Sequence, residues 1–191
     1  MSRQPGLIFV ISGPSGVGKD AVIEKLVDAD PQLERSVSYT TRRPRPGETD
    51  GVDYSFVSRE EFERLIEQAE FLEHASYDGN LYGTSRQRVE ELREAGHDVI
   101  LKIDVKGAEQ VRARLRDATF IFLAPPTMEE LVRRSALRKT ESAEERSARQ
   151  MIAEKEMTFA SHYDHVVVND DLDRAVAEVL EIIRVVRSRQ S

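Results

Sequence analysis

Cysteine and tryptophan are both missing from this 191-residue chain. Without cysteine there is no disulfide framework and no thiol chemistry, and no oxidising compartment is implied. Without tryptophan, any stacking platform must come from the 7 phenylalanines, the 5 tyrosines or the planar face of arginine. Long apolar runs are missing too. The longest, Leu7–Ile11 and Thr119–Ala124, fall far below the roughly 20 residues that span a bilayer. The opening Met1-Ser2-Arg3-Gln4-Pro5-Gly6 lacks the apolar stretch of a secretory signal, so the expected location is the cytoplasm. An excess of positive charge is also absent: 28 basic against 35 acidic side chains give a net charge of −7. That argues against broad binding to nucleic acid or to an anionic membrane, yet leaves room for a small phosphorylated ligand held by local cationic clusters. The pattern leaves monomer and homo-oligomer equally open.

What is present is the composition of one compact domain, 39% hydrophobic and 33% charged. A chain of this length buries about 70% of its unfolded surface and needs no staples. Leu7-Ile8-Phe9-Val10-Ile11 is a continuous apolar run ending in glycines, the pattern of a strand buried on both faces. Asp20–Asp28 follows with apolar residues at helical spacing. Val99–Asp104, Phe120–Ala124 and His165–Asn169 read as three further strands, and Leu172 to about Val186 as a helix. Alternation of this kind predicts an α/β domain, a parallel sheet core flanked by helices. Two segments break the pattern. Ser36–Ser58, rich in Thr, Tyr, Arg, Pro and Gly, reads as the start of a small mixed-sheet insert. Thr127–Ser161 is charged, helical and poor in large apolar residues, which predicts loose packing and a moving lid.

Gly13-Pro14-Ser15-Gly16-Val17-Gly18-Lys19 fits G-x-x-x-x-G-K between a buried strand and a helix. Glycines let backbone N–H groups turn inward, the helix start adds partial positive charge, and Lys19 reaches the β- and γ-phosphates of a nucleoside triphosphate. A mere linking turn would need neither the lysine nor this position after a buried strand. The next residue departs from the pattern. Asp20 stands where a Ser or Thr would ligate Mg²⁺; a carboxylate is a hard-cation ligand but adds negative charge beside phosphates. In a parallel sheet the strand carrying Lys102 would lie beside the cradle strand. One reading therefore pairs Asp20 with Lys102, and the other leaves Lys102 facing solvent or another acid.

A second anion site follows. Arg42 and Arg45 offer forked donors on a proline-stiffened loop, Thr40-Thr41-Arg42-Arg43-Pro44-Arg45-Pro46-Gly47-Glu48. Tyr54 and Tyr82 add hydroxyl donors. Ser38, Glu73, Thr84 and Asp104 are polar groups able to read a base edge, and a Glu carboxylate suits guanine, whose N1–H and exocyclic amine are adjacent donors. The bland alternative is a basic hairpin with solvated charges. His74, His97, His162 and His165 have no metal-ligand spacing with carboxylates and read as surface or packing residues.

From about Gly6 to Val186 the chain closely resembles the guanylate kinases, most specifically in Thr40-Thr41-Arg42-x-Pro44-Arg45-x-Gly47-Glu48, Asp53-Tyr54 and Tyr82-Gly83. The resemblance implies a P-loop nucleoside monophosphate kinase that moves the γ-phosphoryl group of ATP to GMP, with Mg²⁺ accompanying ATP. It implies that Ser38, Arg42, Arg45, Tyr54 and Tyr82 hold the GMP phosphate and that Glu73, Thr84 and Asp104 read the guanine. Arg134, Arg138 and Arg149 match arginines that reach the transferring phosphoryl group or the ATP, and Asn169 a position beside the adenine. It divides the chain into a core of residues 1–35, 86–126 and 162–191, a GMP-binding insert of 36–85 and a lid of 127–161. Departures stand beside the match. Asp20 replaces a Ser, Thr or small residue, Lys102 a common Asp, and the lid reads Arg134-Ser135-Ala136-Leu137-Arg138-Lys139 without its two usual glycines. Asp20 also resembles the Gly-Lys-Asp of kinases acting on ribose 1,5-bisphosphate, against which the full GMP-binding stretch argues. A domain that binds proteins and has lost catalysis is the other alternative; such domains typically lack the P-loop lysine that Lys19 supplies here.

Overall fold

The computed structural model describes residues 4–77, 79–136 and 143–190, with the side chains at 135–136, 143–146, 148–149 and 190 outside the description. A five-stranded sheet forms the centre. Its strands are β1 (Ile8–Ser12), β2 (Leu33–Arg35), β7 (Asp98–Lys102), β8 (Ala118–Ala124) and β9 (His165–Val168), in the order β2-β7-β1-β8-β9 with every pairing parallel. All five residues of β1 are buried. Alternate side chains serve the two faces, Phe9 and Ile11 entering one cluster and Ile8 and Val10 the other. Each large side chain withdrawn from water in this way stabilises the fold by about 1.5–3 kcal/mol.

Helices cover both faces. On one, α1 (Lys19–Ala29) and α7 (Leu172–Gln190) bring Val22, Ile23, Leu26, Val179 and Ile183 against Phe9 and Ile11. On the other, α3 (Arg86–Glu94) and α4 (Val105–Arg114) bring Val89, Val105, Ala108 and Val111 against Ile8 and Val10. An Arg187 clamp ties α7 to the sheet edge: its guanidinium meets buried Asp98 at 2.7 Å and Asp30 at 2.6 Å, while Asp98 accepts the Leu7 N–H at 2.7 Å. Strand β7 starts one residue before the apolar run and ends at Lys102, so Asp104 lies beyond the strand and caps α4. No helix among the described residues is long and apolar enough to cross a membrane.

The second sheet is mixed and small: β3 (Tyr39–Thr40), β4 (Ser55–Phe56), β5 (Phe71–Tyr77) and β6 (Asn80–Ser85), ordered β4-β3-β6-β5, with β3–β4 parallel and the other pairs antiparallel. Helix α2 (Arg59–Glu67) closes it by stacking Phe62 on Phe71 at 4.6 Å. Polar side chains join it to the core. Gln110 exchanges two hydrogen bonds with the His74 backbone, Arg114 donates to the carbonyls of Phe71 and Leu72, and Arg35 donates to the Val52 carbonyl at 2.8 Å. The remaining helical segment holds α5 (Met128–Ala136) and α6 (Ala143–Met157). It packs more firmly than its composition predicts, because Leu131 and Ala153 both enter the core cluster, although Met151 and Ile152 stay exposed on α6.

Candidate active site

The loop between β1 and α1 is shaped by its glycines. Gly13 has φ 142°, and a Cβ there would stand 2.2 Å from the Leu123 carbonyl oxygen. Gly18, at φ 100°, is the N-cap of α1 and provides no side-chain cap. The starts of α2, α3 and α4, by contrast, are capped by Ser58, Ser85 and Asp104. Helix α1 thus reaches the loop with first-turn N–H groups that no capping side chain satisfies, the arrangement that receives a phosphate. Lys19 curls back and donates to the carbonyls of Gly13 at 2.5 Å and Pro14 at 3.1 Å. Burial lowers its pKa to about 8, against the pull of the Glu156 and Asp20 carboxylates. Glu156 enters from the end of α6, where it accepts the Ser15 N–H at 3.4 Å. Burial raises its carboxyl above the ordinary range although Lys19 opposes this.

Register decides the Asp20 question. Lys102 pairs with Ile11 in the sheet, so its side chain emerges beside the loop and donates to Asp20 Oδ1 at 2.5 Å. The Lys102 side chain is 16% exposed and that of Asp20 65%. Burial would raise the Asp20 pKa, but the Lys102 ammonium outweighs it and holds the carboxyl below its usual range. Lys102 lies 5.1 Å from the centre of the Tyr54 ring.

The loop that carries Arg42 and Arg45 is organised by Glu48. Its carboxylate takes both arms of Arg42 at 2.9 and 2.8 Å and the Arg45 N–H at 2.7 Å, fixing the loop. Arg42 also lies over the rings of Tyr54 at 5.4 Å and Phe56 at 5.7 Å, and Tyr54 packs on Tyr82 at 6.0 Å. Glu73, on β5, is 4% exposed and accepts the Thr84 hydroxyl at 2.6 Å. Burial pushes its carboxyl up to about 7; the Thr84 bond opposes this and Asp104 adds to it. Asp104 accepts the Gly107 N–H at 2.7 Å and lines the same cleft.

These groups line a single cleft of about 690 Å³. From the glycine loop come Gly13, Ser15, Gly16, Gly18, Lys19 and Asp20, and from the second sheet and its surroundings Ser38, Arg42, Arg45, Tyr54, Glu73, Tyr82 and Asp104. The sequence pattern of the family described as guanylate kinase matches residues 6–186. The chain belongs to the guanylate kinase family. It is 51% identical over 179 residues to the guanylate kinase of Rubrobacter xylanophilus, covering 94% of each chain. To that of Desulfitobacterium hafniense it is 48% identical over 183 residues, covering 96% of this chain and 92% of the relative. The crystal structure of guanylate kinase from Anaplasma phagocytophilum superposes with a TM-score of 0.79 at 36% identity, covering 97% of this chain and 88% of that one.

Several residues singled out in the sequence stand back from the cleft wall. Pro14 and Val17 are buried within the loop. Thr84 is 1% exposed and touches Glu73 rather than open space. Asn169 is buried behind the loop and donates to the Val17 carbonyl at 2.8 Å. Arg134 is held by Glu130 at 2.7 Å and by the Asn169 carbonyl at 2.8 Å. Arg138 lies outside the described residues, as does the side chain of Arg149, whose backbone is part of α6. Arg35 and Glu156 line the cleft without having been singled out. Each arrives from an element distant in sequence, and neither carried a local signal.

Proposed function

We propose that this protein transfers the γ-phosphoryl group of ATP to GMP, giving ADP and GDP. The observation that carries the proposal is the meeting of two anion-binding groups in one cleft, with a buried carboxylate at the acceptor end. Glu73, when ionised, accepts two adjacent N–H donors, as guanine presents them; Thr84 acts by orienting it and Asp104 adds a second acceptor. Arg42, Arg45, Ser38, Tyr54 and Tyr82 hold the phosphate of the acceptor. A pentose bisphosphate would leave the Glu73 carboxylate facing no donor pair.

The acceptor is already an ionised phosphate, so no general base is required. An acceptor oxygen bonds to the γ-phosphorus as its bond to the β–γ bridging oxygen breaks, and ADP leaves with that electron pair. Catalysis is then alignment and charge stabilisation. The triphosphate lies on the backbone N–H groups of the loop and of the start of α1, and Lys19 exchanges the Gly13 and Pro14 carbonyls for phosphate oxygens. Arg134, Arg138 and Arg149 reach the equatorial oxygens when residues 127–161 close as a lid over a core of residues 1–35, 86–126 and 162–191. Closure of that lid and of the insert, residues 36–85, excludes water that would waste ATP. Asn169 supports the loop from behind. Asp20 is an exposed hard oxygen donor at the mouth of the cradle, and no group of three or more potential metal ligands occurs among the described residues. Asp20 would fit an Mg²⁺ that arrives on ATP, holding it directly or through water, and the ion would supply charge neutralisation at the phosphates. An ADP-release assay with GMP, AMP, UMP and ribose 1,5-bisphosphate tests the proposal. GMP should be strongly preferred; equal rates with AMP, or a preference for the sugar bisphosphate, would refute it.

A further inference from the structure

Lys102 occupies a place that the reaction as described leaves unused. It rises from the end of β7, one strand away from the glycine loop, and its ammonium touches one group from each half of the cleft: the Asp20 carboxylate at 2.5 Å on the donor side and the Tyr54 ring at 5.1 Å on the acceptor side. Three other cations of the cleft are committed. Lys19 lies on loop carbonyls, Arg42 is forked onto Glu48, and Arg35 is bonded to the Val52 carbonyl. Lys102 is bound instead to a carboxylate that is itself largely open to solvent, and so within reach of a competing cation that arrives from solution.

Resting on the kinase reading above, we propose that Lys102 is a phosphate-binding cation for the transferring group, parked on Asp20 while the cleft is empty and released toward the phosphates when metal-bound ATP claims the Asp20 carboxylate. A hard divalent cation competes with an ammonium for such an oxygen. Once Asp20 is taken, Lys102 faces the gap where triphosphate and acceptor phosphate converge, and its long flexible stem lets it follow the charge. Metal-nucleotide binding on one side thereby strengthens acceptor binding on the other, a coupling that must be reciprocal.

The test is GMP binding by calorimetry, with and without ADP plus Mg²⁺, alongside steady-state turnover. In the wild type, ADP plus Mg²⁺ should tighten GMP binding by about 5- to 10-fold. Lys102→Met should abolish that tightening and lower kcat by at least about tenfold. It should change GMP affinity less than about twofold without metal and nucleotide, because the lysine is then parked. Asp20→Asn should do the reverse and tighten GMP binding about threefold or more with no metal present. If Lys102→Met fails to fold, Asp20→Asn, in which the lysine is untouched, still decides the matter. Coupling and kcat unchanged in Lys102→Met, or metal-free GMP affinity unchanged in Asp20→Asn, would overturn the proposal. A wild-type protein that fails to turn over GMP would instead overturn the kinase reading.

Discussion

Glu73 offers a perturbation whose size follows from the structure. Its carboxyl is almost fully buried, and burial moves its pKa from 4.5 to about 7 in the empty protein. A tenfold change in proton affinity is worth about 1.4 kcal/mol, so ionising Glu73 costs the empty fold about 3 kcal/mol. The folded state holds this proton more tightly than the unfolded chain. The stabilisation is therefore complete below pH 4.5, falls as pH rises toward 7, and is gone above it. Glu73→Gln mimics the protonated group at every pH. The variant should be about as stable as the wild type at pH 4 and about 3 kcal/mol more stable at pH 8 by denaturant unfolding without nucleotide. Guanine recognition runs the other way, because only the ionised carboxylate accepts two N–H donors. About one-tenth of Glu73 is ionised at pH 6 and about nine-tenths at pH 8, so the advantage of wild type over Glu73→Gln in GMP affinity should grow about tenfold between these pH values. The GMP phosphate titrates in the same range, but equally against both proteins, and cancels in the ratio. Parallel stability curves, or an affinity ratio that does not change with pH, would mean that Glu73 neither titrates in this range nor reads the base.

Other perturbations separate the parts of the site. Lys19→Ala should lower kcat by at least about a thousandfold while leaving the far-UV circular dichroism and the melting temperature close to wild type, since the hydrogen bonds of the lysine among the described residues run to its own loop. Glu156→Gln removes a carboxylate that competes with phosphate for the Ser15 N–H and for Lys19; ATP binding measured by calorimetry should tighten about threefold to tenfold. Glu48→Gln loosens both Arg42 and the Arg45 backbone and should raise the KM for GMP more than the KM for ATP. Arg187→Met leaves buried Asp98 without the guanidinium that faces it and should destabilise the protein by about 3–5 kcal/mol in denaturant titrations.

The fold is legible in this sequence wherever a strand is buried on both faces. β1, β7 and β8 are short apolar runs with little else to become; the edge strand β9 shows as a valine run although Val166 and Val168 stay exposed, and the glycine loop follows from its place between a buried strand and a helix. Lys102 and Asp20 are a related case: two residues far apart in the chain meet because parallel register puts the end of β7 beside the loop. Elements that bury a single side chain are not legible. α2 buries only Phe62 and α3 only Val89, and β3 and β4 have two residues each, so their periodicity is too brief to separate from a loop. The same reason hides Arg35 and Glu156, which join the cleft through contacts from distant elements. Thr84 carries a contact that no motif announces: its hydroxyl donates to Glu73.

A triphosphate site and a guanine monophosphate site that open onto the same cleft of one chain should accept one ligand that fills both. Calorimetric titration with an adenosine and a guanosine joined by five phosphates measures this directly. One molecule should bind per chain, at least about a hundredfold tighter than ATP or GMP alone because the second contact becomes intramolecular, and both Lys19→Ala and Arg45→Ala should weaken it. Binding no tighter than ATP, or loss in only one of the two variants, would contradict the claim.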